Sequence, residues 1–426
     1  MTAPDRIVVV GASRAGTSVV STLRARGVTG SITVISDEDV LPYDRTHLSK
    51  VGLKPESADT TVPLCGPPDL AGIDLRLGTR AIGVDTTSRT VSLDTGAEIP
   101  YDGLFIATGA TPRWPSVLRG AAGVHVLRTF ADAQRLQAAL TRAAGVLIVG
   151  GGFVGAELAV AARDRGLPVT IVETGATLLD RGLGQDLGAE WTELHRQRGV
   201  TIHCGRTIVS LTERDGRVDG AVMDNGQVVA ADLVVVGVGA APSTDWLAGD
   251  DQLKIDDGLI CDETLCAAPG VYAVGDVARW HDRVTGELCR IEHWTNAHAQ
   301  GRVAAGNFLG DEQVFSAVPY VWSDQYGHRI QIYGTTRNAD AIRVLDPGAD
   351  VSRLVIYGLG GIVIGAVGVD AAKDLLPWRR AIAQRQSWRD ALQSFAQVTT
   401  RPGRLENIVP LDGRGFLPSS GVRAGS

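Results

Sequence analysis

With 426 residues, 52 glycines and a hydrophobic fraction of 44%, the chain has the length for two or three cored domains and too much apolar content for disorder. Its net charge of -7 excludes the domain-wide basic face of a nucleic-acid binder. The longest apolar stretch, Leu354 to Val369, is interrupted by five glycines and reads as a hairpin, so no membrane span is expected.

The first element begins by Arg6, which leaves no room for a secretion signal and points to a cytoplasmic protein. Arg6 to Glu38 reads as an apolar strand, a turn Gly11-Ala12-Ser13-Arg14-Ala15-Gly16, a helix and a second strand ending on Asp37 and Glu38. That is a dinucleotide-binding βαβ pattern: glycines for the tight turn and the close backbone approach, a helix N-terminus for phosphate, an acid for a ribose. Ser13 stands at the middle glycine position and is small enough to serve there. A polar loop follows, LPYDRTHLSK from Leu41 to Lys50, which a surface coil would also explain. Short strands (DLRLG, TVSLD) lead to Leu104-Phe105-Ile106-Ala107-Thr108-Gly109-Ala110, a strand whose Thr-Gly end brings backbone close to a ligand. Pro112 to Pro115 reads as a linker.

The pattern then repeats more completely. Val146 to Glu173 is VLIVGGGFVGAELAVAARDRGLPVTIVE, with Gly150 for the turn, Gly152 for the pyrophosphate, Gly155 for helix–strand packing and Glu173 for a ribose 2'-hydroxyl. Val154 lies in the same turn, and Glu157 lies on the first turn of the helix, where it can face the gap between two nucleotide-binding halves. A helix near Ala189 to Arg198 and a hairpin-rich segment precede the strand DLVVVGVGAAP, which contains Gly239 and mirrors Leu104 to Pro112, as an internal duplication would. Two such patterns in one chain suggest one tightly held flavin and one exchangeable nicotinamide dinucleotide.

Further on, Gly270 to Ala278 (GVYAVGDVA) runs an apolar strand into Gly275 and Asp276 and returns the chain to its first domain. From about Phe315 the pattern turns strand-rich and then helical over Asp370 to Gln386; the tail from Asp412 reads as mobile. The fold class is therefore α/β with two Rossmann-like dinucleotide-binding domains, the second inserted in the first, plus a C-terminal α+β domain. The division is 1–112, 113–241, 242–314 and 315–426. Five cysteines, with no secretion signal, read as reduced and structural, although Cys261 and Cys266 form a C-x4-C pair. The histidines show no metal-ligand spacing, and no metal site is expected.

Taken together, GASRAG, LPYDRTHLSK, LFIATGATPR, LRTFADA, IVGGGFVGAE, VYAVGDVA, RIEHWTNAHAQG and YVWSDQYG resemble the oxygenase-coupled ferredoxin reductases, flavoproteins like putidaredoxin reductase that carry electrons from NADH to a [2Fe-2S] ferredoxin. The resemblance spans nearly the whole chain up to Ala371. It departs at Thr46-His47, where that family usually has Pro-Pro, and at Ser13. It implies an FAD domain, an inserted NAD domain and an interface domain of the glutathione-reductase type. It further implies that Gly11, Ser13, Ala15 and Gly16 sit at the FAD pyrophosphate turn, that Asp37 and Glu38 lie at the adenosine ribose, and that Ala81 meets the adenine. Arg45, Thr108, Gly109, Arg128, Gly275, Asp276 and His293 are then expected along the flavin, with Lys50 at the isoalloxazine. On the NAD side stand Gly150, Gly152, Val154, Gly155, Glu157, Glu173, Arg181 and Gly239.

Lys50, Glu157 and Trp294 are the expected catalytic residues: an ion pair balancing charge beside the flavin as hydride arrives, and an aromatic gate over the nicotinamide. Glu173 would repel a 2'-phosphate, and Arg181 is the nearest basic residue downstream, so NADH is favoured. The chain has no cysteine cluster of its own, so the iron–sulfur centre belongs to the partner. Arg302, Arg379, Arg380 and Trp322 are candidates for meeting it. The alternatives are a rubredoxin- or nitrite-reductase-linked NADH flavoenzyme, and an NADH-responsive flavoprotein resembling apoptosis-inducing factor.

Overall fold

The computed structural model describes residues 6–53, 61–66, 70–282, 286–345 and 353–398; the tail from Asp412 lies outside them. Ile7 to Val10 are all buried, as expected of a β-branched run with helices on both faces of its sheet. The strand Arg6–Val10 pairs in parallel with Ser31–Ile35 on one side and Gly103–Ile106 on the other. The sheet continues through Ile73–Arg76 at one edge and through Val271–Ala273 and Cys266–Ala268 at the other, six strands in all. Val271–Ala273 lies directly beside Gly103–Ile106, so the chain does return to its first sheet after a long excursion. The helix Trp294–Phe308 packs on the helix Arg14–Ala25; Gly301 allows this, because a Cβ there would sit 2.6 Å from the Ala15 carbonyl oxygen.

The excursion builds a second parallel sheet in the order Val200–Cys204, Val169–Glu173, Val146–Val149, Leu233–Val236, Val124–His125. The two sheets begin alike. Gly11 N–H donates to the Ile35 carbonyl and Gly150 N–H to the Val172 carbonyl, each at 2.8 Å. Both glycines have positive φ, +113° and +106°, and a Cβ would lie 2.2 Å from Ala107 O in one case and 2.4 Å from Gly237 O in the other. No L side chain fits either turn. The mirrored chain endings, which suggest duplication in the sequence, pair with each other: Ala110–Pro112 and Ala240–Pro242 form an antiparallel ribbon where the chain crosses between the sheets.

The third part is a five-stranded antiparallel sheet, Tyr320–Gln325, His328–Gly334, Ile362–Val369, Arg353–Leu359, Ala341–Leu345. Alternation along Arg353–Leu359 sends Val355 and Tyr357 into the core of the second nucleotide-type domain, and Leu354 and Ile356 under the helix Ala372–Ala383. Full burial of each such side chain stabilises by about 1.5–3 kcal/mol. The helix expected over Asp370 to Gln386 is shorter at both ends, and a separate helix, Trp388–Val398, follows it. The helix expected near Ala189 begins earlier, just after Gly184, whose φ of +73° separates it from a short helical turn that starts at Asp180. Among the described residues no helix is long and apolar enough to cross a membrane.

Candidate functional site

Both glycine turns open into one cavity of about 1970 Å³, at the carboxyl ends of both parallel sheets. Single-ligand pockets reach about 1,000 Å³, so there is room for two dinucleotides. Of the residues expected on cofactors, all border the cavity except Gly16 and Gly155. Those two instead press their helices onto the preceding turns: a Cβ would meet Gly11 O at 1.9 Å and Gly150 O at 2.1 Å.

In the first half, the loop Leu41 to Lys50 is anchored, not a loose surface coil. Tyr43 and Leu48 are buried, and Asp44 accepts from the Thr46 amide at 2.9 Å and its hydroxyl at 2.7 Å, stiffening the stretch where prolines are absent. Arg45 directs its donors to protein: Glu38 at 2.5 Å, the Arg128 carbonyl at 2.8 Å and Ser13 Oγ at 3.2 Å. Glu38 also accepts from the Tyr43 hydroxyl at 2.7 Å. Glu38 is thereby committed to bracing the loop, whereas Asp37 is exposed, with a long 3.9 Å contact to Arg80, and has acceptor capacity for a ribose. Ala81 and the Thr108-Gly109 strand end line the same side, and Arg128 reaches Asp276 at 2.8 Å.

Residues that border the cavity carry buried nitrogens that the protein leaves without partners. His293 Nδ1, Trp294 Nε1, Trp246 Nε1, Trp280 Nε1 and Arg290 Nε are buried with no hydrogen bond among the described residues. Buried polar groups are ordinarily satisfied, so this cluster fits a hydrogen-bonding ligand such as a flavin. Arg14, which the sequence does not single out, lies 4.0 Å over the Trp294 ring and donates toward His298 Nδ1 at 2.9 Å. Trp294 in turn meets Trp322 edge-on at 6.2 Å.

Burial pulls the His293 imidazole down to about 4, against the pull of Asp276, so the ring is neutral near pH 7. An unfolded histidine binds its proton near 6.5, so between 6.5 and about 4 the unfolded chain holds the extra proton. Folding stability should therefore fall as pH drops through that window, by up to about 3 kcal/mol from this residue. Thermal melts of wild type and His293→Phe across the window check this; parallel curves would refute it.

In the second half, Glu173 accepts from the Gly151 amide at 2.5 Å and the Gly175 amide at 2.6 Å, which fixes its carboxylate at the mouth of the turn. Gly150, Gly152, Val154, Arg181 and Gly239 border the same space. So does Arg206, whose amide bonds the Glu173 carbonyl at 3.0 Å; it is distant in sequence and enters through the turn after Val200–Cys204.

Where the halves meet, Lys50 Nζ lies 2.9 Å from Glu157 Oε1. Glu157 is almost wholly buried and also accepts from Ser49 Oγ and, at 2.6 Å, from Ser323 Oγ of the third part. Neither serine is legible as a site residue from spacing. The C-x4-C pair lies off the cavity; both thiols are free, and burial pushes Cys261 up to about 12. Among the described residues no group of three or more His, Cys, Asp or Glu could hold a metal ion.

Residues 5–301 match the family described as pyridine nucleotide-disulphide oxidoreductase, and residues 320–400 match the reductase C-terminal family. The ferredoxin–NAD(+) reductase component of the p-cumate 2,3-dioxygenase system of Pseudomonas putida is 35% identical over 388 residues, covering 90% of this chain and 94% of that one. The crystal structure of the ferredoxin reductase for the CYP199A2 system of Rhodopseudomonas palustris superposes with a TM-score of 0.86 at 31% identity, covering 90% of this chain and 95% of that one. The covalent putidaredoxin reductase–putidaredoxin complex gives 0.85 at 29% identity, covering 92% and 98%. With two dinucleotide cradles in one cavity and this likeness along its length, the chain belongs to the pyridine nucleotide-disulphide oxidoreductase family, among the oxygenase-coupled ferredoxin reductases.

Proposed function

We propose that this protein carries electrons from NADH through FAD to a [2Fe-2S] ferredoxin that serves an oxygenase, such as a cytochrome P450. The carrying observation is the buried Lys50–Glu157 pair, 2.9 Å apart, at the junction of two dinucleotide cradles that share one cavity. FAD, when bound, supplies the chemistry: it accepts two electrons as hydride and releases them one at a time. The chain's own residues do the rest. Gly11, Ser13 and Ala15 with Asp37 hold the first dinucleotide, Arg128 and Asp276 border its middle, and Gly150, Gly152 and Glu173 hold the second. Lys50 offers a cation beside the reacting ring while Glu157 keeps that cation in place, and Trp294 closes the site against water. We divide the chain at 112, 241 and 314; the ribbon of Ala110–Pro112 with Ala240–Pro242, and the antiparallel sheet that begins at Tyr320, support that reading. Trp322 borders the cavity, and Arg302, Arg379 and Arg380 are exposed, as an acidic partner requires. The thiols of Cys204, Cys261, Cys266 and Cys289 suit a reducing, cytoplasmic compartment.

Anaerobic titration of the yellow protein with NADH, then with a [2Fe-2S] ferredoxin, tests the reading: bleaching and then reoxidation are expected. A flavin that NADH does not bleach sinks it, and reoxidation by rubredoxin alone redirects it to the other electron carrier. Glu173→Gln removes the charge facing a 2'-phosphate while Arg181 and Arg206, which border the same cavity, remain. The preference for NADH over NADPH should narrow by about tenfold. An unchanged ratio of kcat/KM values would take Glu173 out of nucleotide choice.

A further inference from the structure

The third hydrogen bond to Glu157 comes from the antiparallel domain, and a line of buried polar groups stands behind it. Gln325 Nε2 lies 2.9 Å from Ser323 Oγ, and Gln325 Oε1 lies 2.8 Å from Trp191 Nε1 and 2.9 Å from His195 Nε2. His195 Nδ1 then lies 3.2 Å from the Tyr326 hydroxyl. Ser323, Gln325 and His195 are at most 1% exposed, so water does not complete these bonds.

One group fixes every direction in the line. An indole N–H only donates, so the atom that Trp191 meets is the Gln325 carbonyl oxygen, which turns the amide NH2 toward Ser323. Ser323 accepts there and gives its single hydrogen to Glu157 Oε1, the same oxygen that faces Lys50 Nζ. The same carbonyl takes the His195 Nε2 hydrogen, which leaves Nδ1 to accept from Tyr326. Burial lowers His195 from its ordinary value, against the Gln325 bond, and keeps the ring neutral. The far end is held in an unusual posture. Tyr326 has φ +52° and Gly327 +84°, a two-residue hairpin turn that rarely takes an aromatic. The Tyr326 ring meets His195 edge-on at 4.9 Å and lies 5.2 Å below the Arg198 guanidinium.

We infer that Ser323, Gln325, His195 and Tyr326 are positioning residues: a one-way chain of donors that holds Glu157 as a pure acceptor turned toward Lys50. Aligned hydrogen bonds polarise one another, so each link strengthens the next toward the carboxylate. The amide in mid-chain makes this an orienting device and not a proton path. The inference rests on the proposed role of Lys50 and Glu157 in the hydride step.

Two measurements test it. Nitrogen NMR of isotope-labelled histidine should show the neutral His195 ring carrying its proton on Nε2 at about pH 8. A proton on Nδ1 there overturns the chain whatever Glu157 does. In anaerobic stopped flow, Ser323→Ala, Gln325→Leu and Tyr326→Phe should lower the limiting rate of flavin reduction by about 30-, 10- and 3-fold in that order, with half-saturation by NADH unchanged. Losses that follow the melting temperature instead of the order along the chain mean a packing role only and overturn it. If the NMR result holds while Glu157→Gln leaves the rate intact, the hydride-site reading has failed and the chain geometry has not.

Discussion

Glu157→Gln is expected to slow reduction of the bound flavin by NADH by about 100- to 1,000-fold, the range for removing one preorganised group from a water-poor site. The amide keeps the side chain's size, so the packing of the helix Phe153–Asp164 is undisturbed. What it loses is the charge opposite Lys50, whose ammonium is mostly buried and is left facing a neutral group. The Ser49 and Ser323 hydroxyls, both of which donate to the carboxylate, cannot both find an acceptor on an amide that also carries hydrogens. Anaerobic stopped flow at the flavin band measures the rate, with the melting temperature as control. A rate constant equal to wild type in a fully folded variant would remove the pair from the chemistry.

The second large effect is a contrast between equivalent positions. Gly16→Ala puts a Cβ 1.9 Å from Gly11 O, and Gly155→Ala puts one 2.1 Å from Gly150 O; each pushes a helix off its glycine turn. Overpacking of this kind costs about 1–3 kcal/mol and, with backbone as the obstacle, more. The consequences differ because the two turns serve different halves of the cavity. Gly16→Ala should purify largely colourless, read as the ratio of flavin to protein absorbance. Gly155→Ala should stay yellow while its KM for NADH rises at least about tenfold. If both variants lose colour equally, the two cradles are not independent and the assignment of one to each nucleotide fails.

The sequence displays its turns well because a turn constrains one residue absolutely. Gly11 and Gly150 must be glycine for reasons of φ and of carbonyl contact, and both constraints are visible in a single chain. The acids Asp37 and Glu173 are legible for a related reason, as strand ends in register with those turns. Arg206 is not legible, because it enters the site from an element far away in sequence and carries no pattern of its own; Ser49, Arg290 and Ser323 stand inside LPYDRTHLSK, RIEHWTNAHAQG and YVWSDQYG, but spacing does not single them out from their neighbours there. Asp37 and Glu38 look interchangeable as neighbours, yet Tyr43 and Arg45 occupy one and leave the other open to the cavity. Arg14 reads as a filler position in the fingerprint, and only the return of the helix Trp294–Phe308 reveals that it lies over Trp294. The mirrored endings at Ala110–Pro112 and Ala240–Pro242 look like repetition alone until strand pairing joins them.

The neighbour of Gly103–Ile106 in its sheet, Val271–Ala273, emerges from the ribosome about 165 residues later. At about 5–20 residues per second, that strand edge waits on the order of ten to thirty seconds for its partner. Leu104, Phe105 and Ile106 are fully buried in the finished protein, so during that interval they are an apolar edge open to other chains. The inserted sheet can close on its own strands in the meantime. Slow translation should therefore favour aggregation through the first half, and chaperones that cover extended apolar segments should find their target at Leu104 to Ile106.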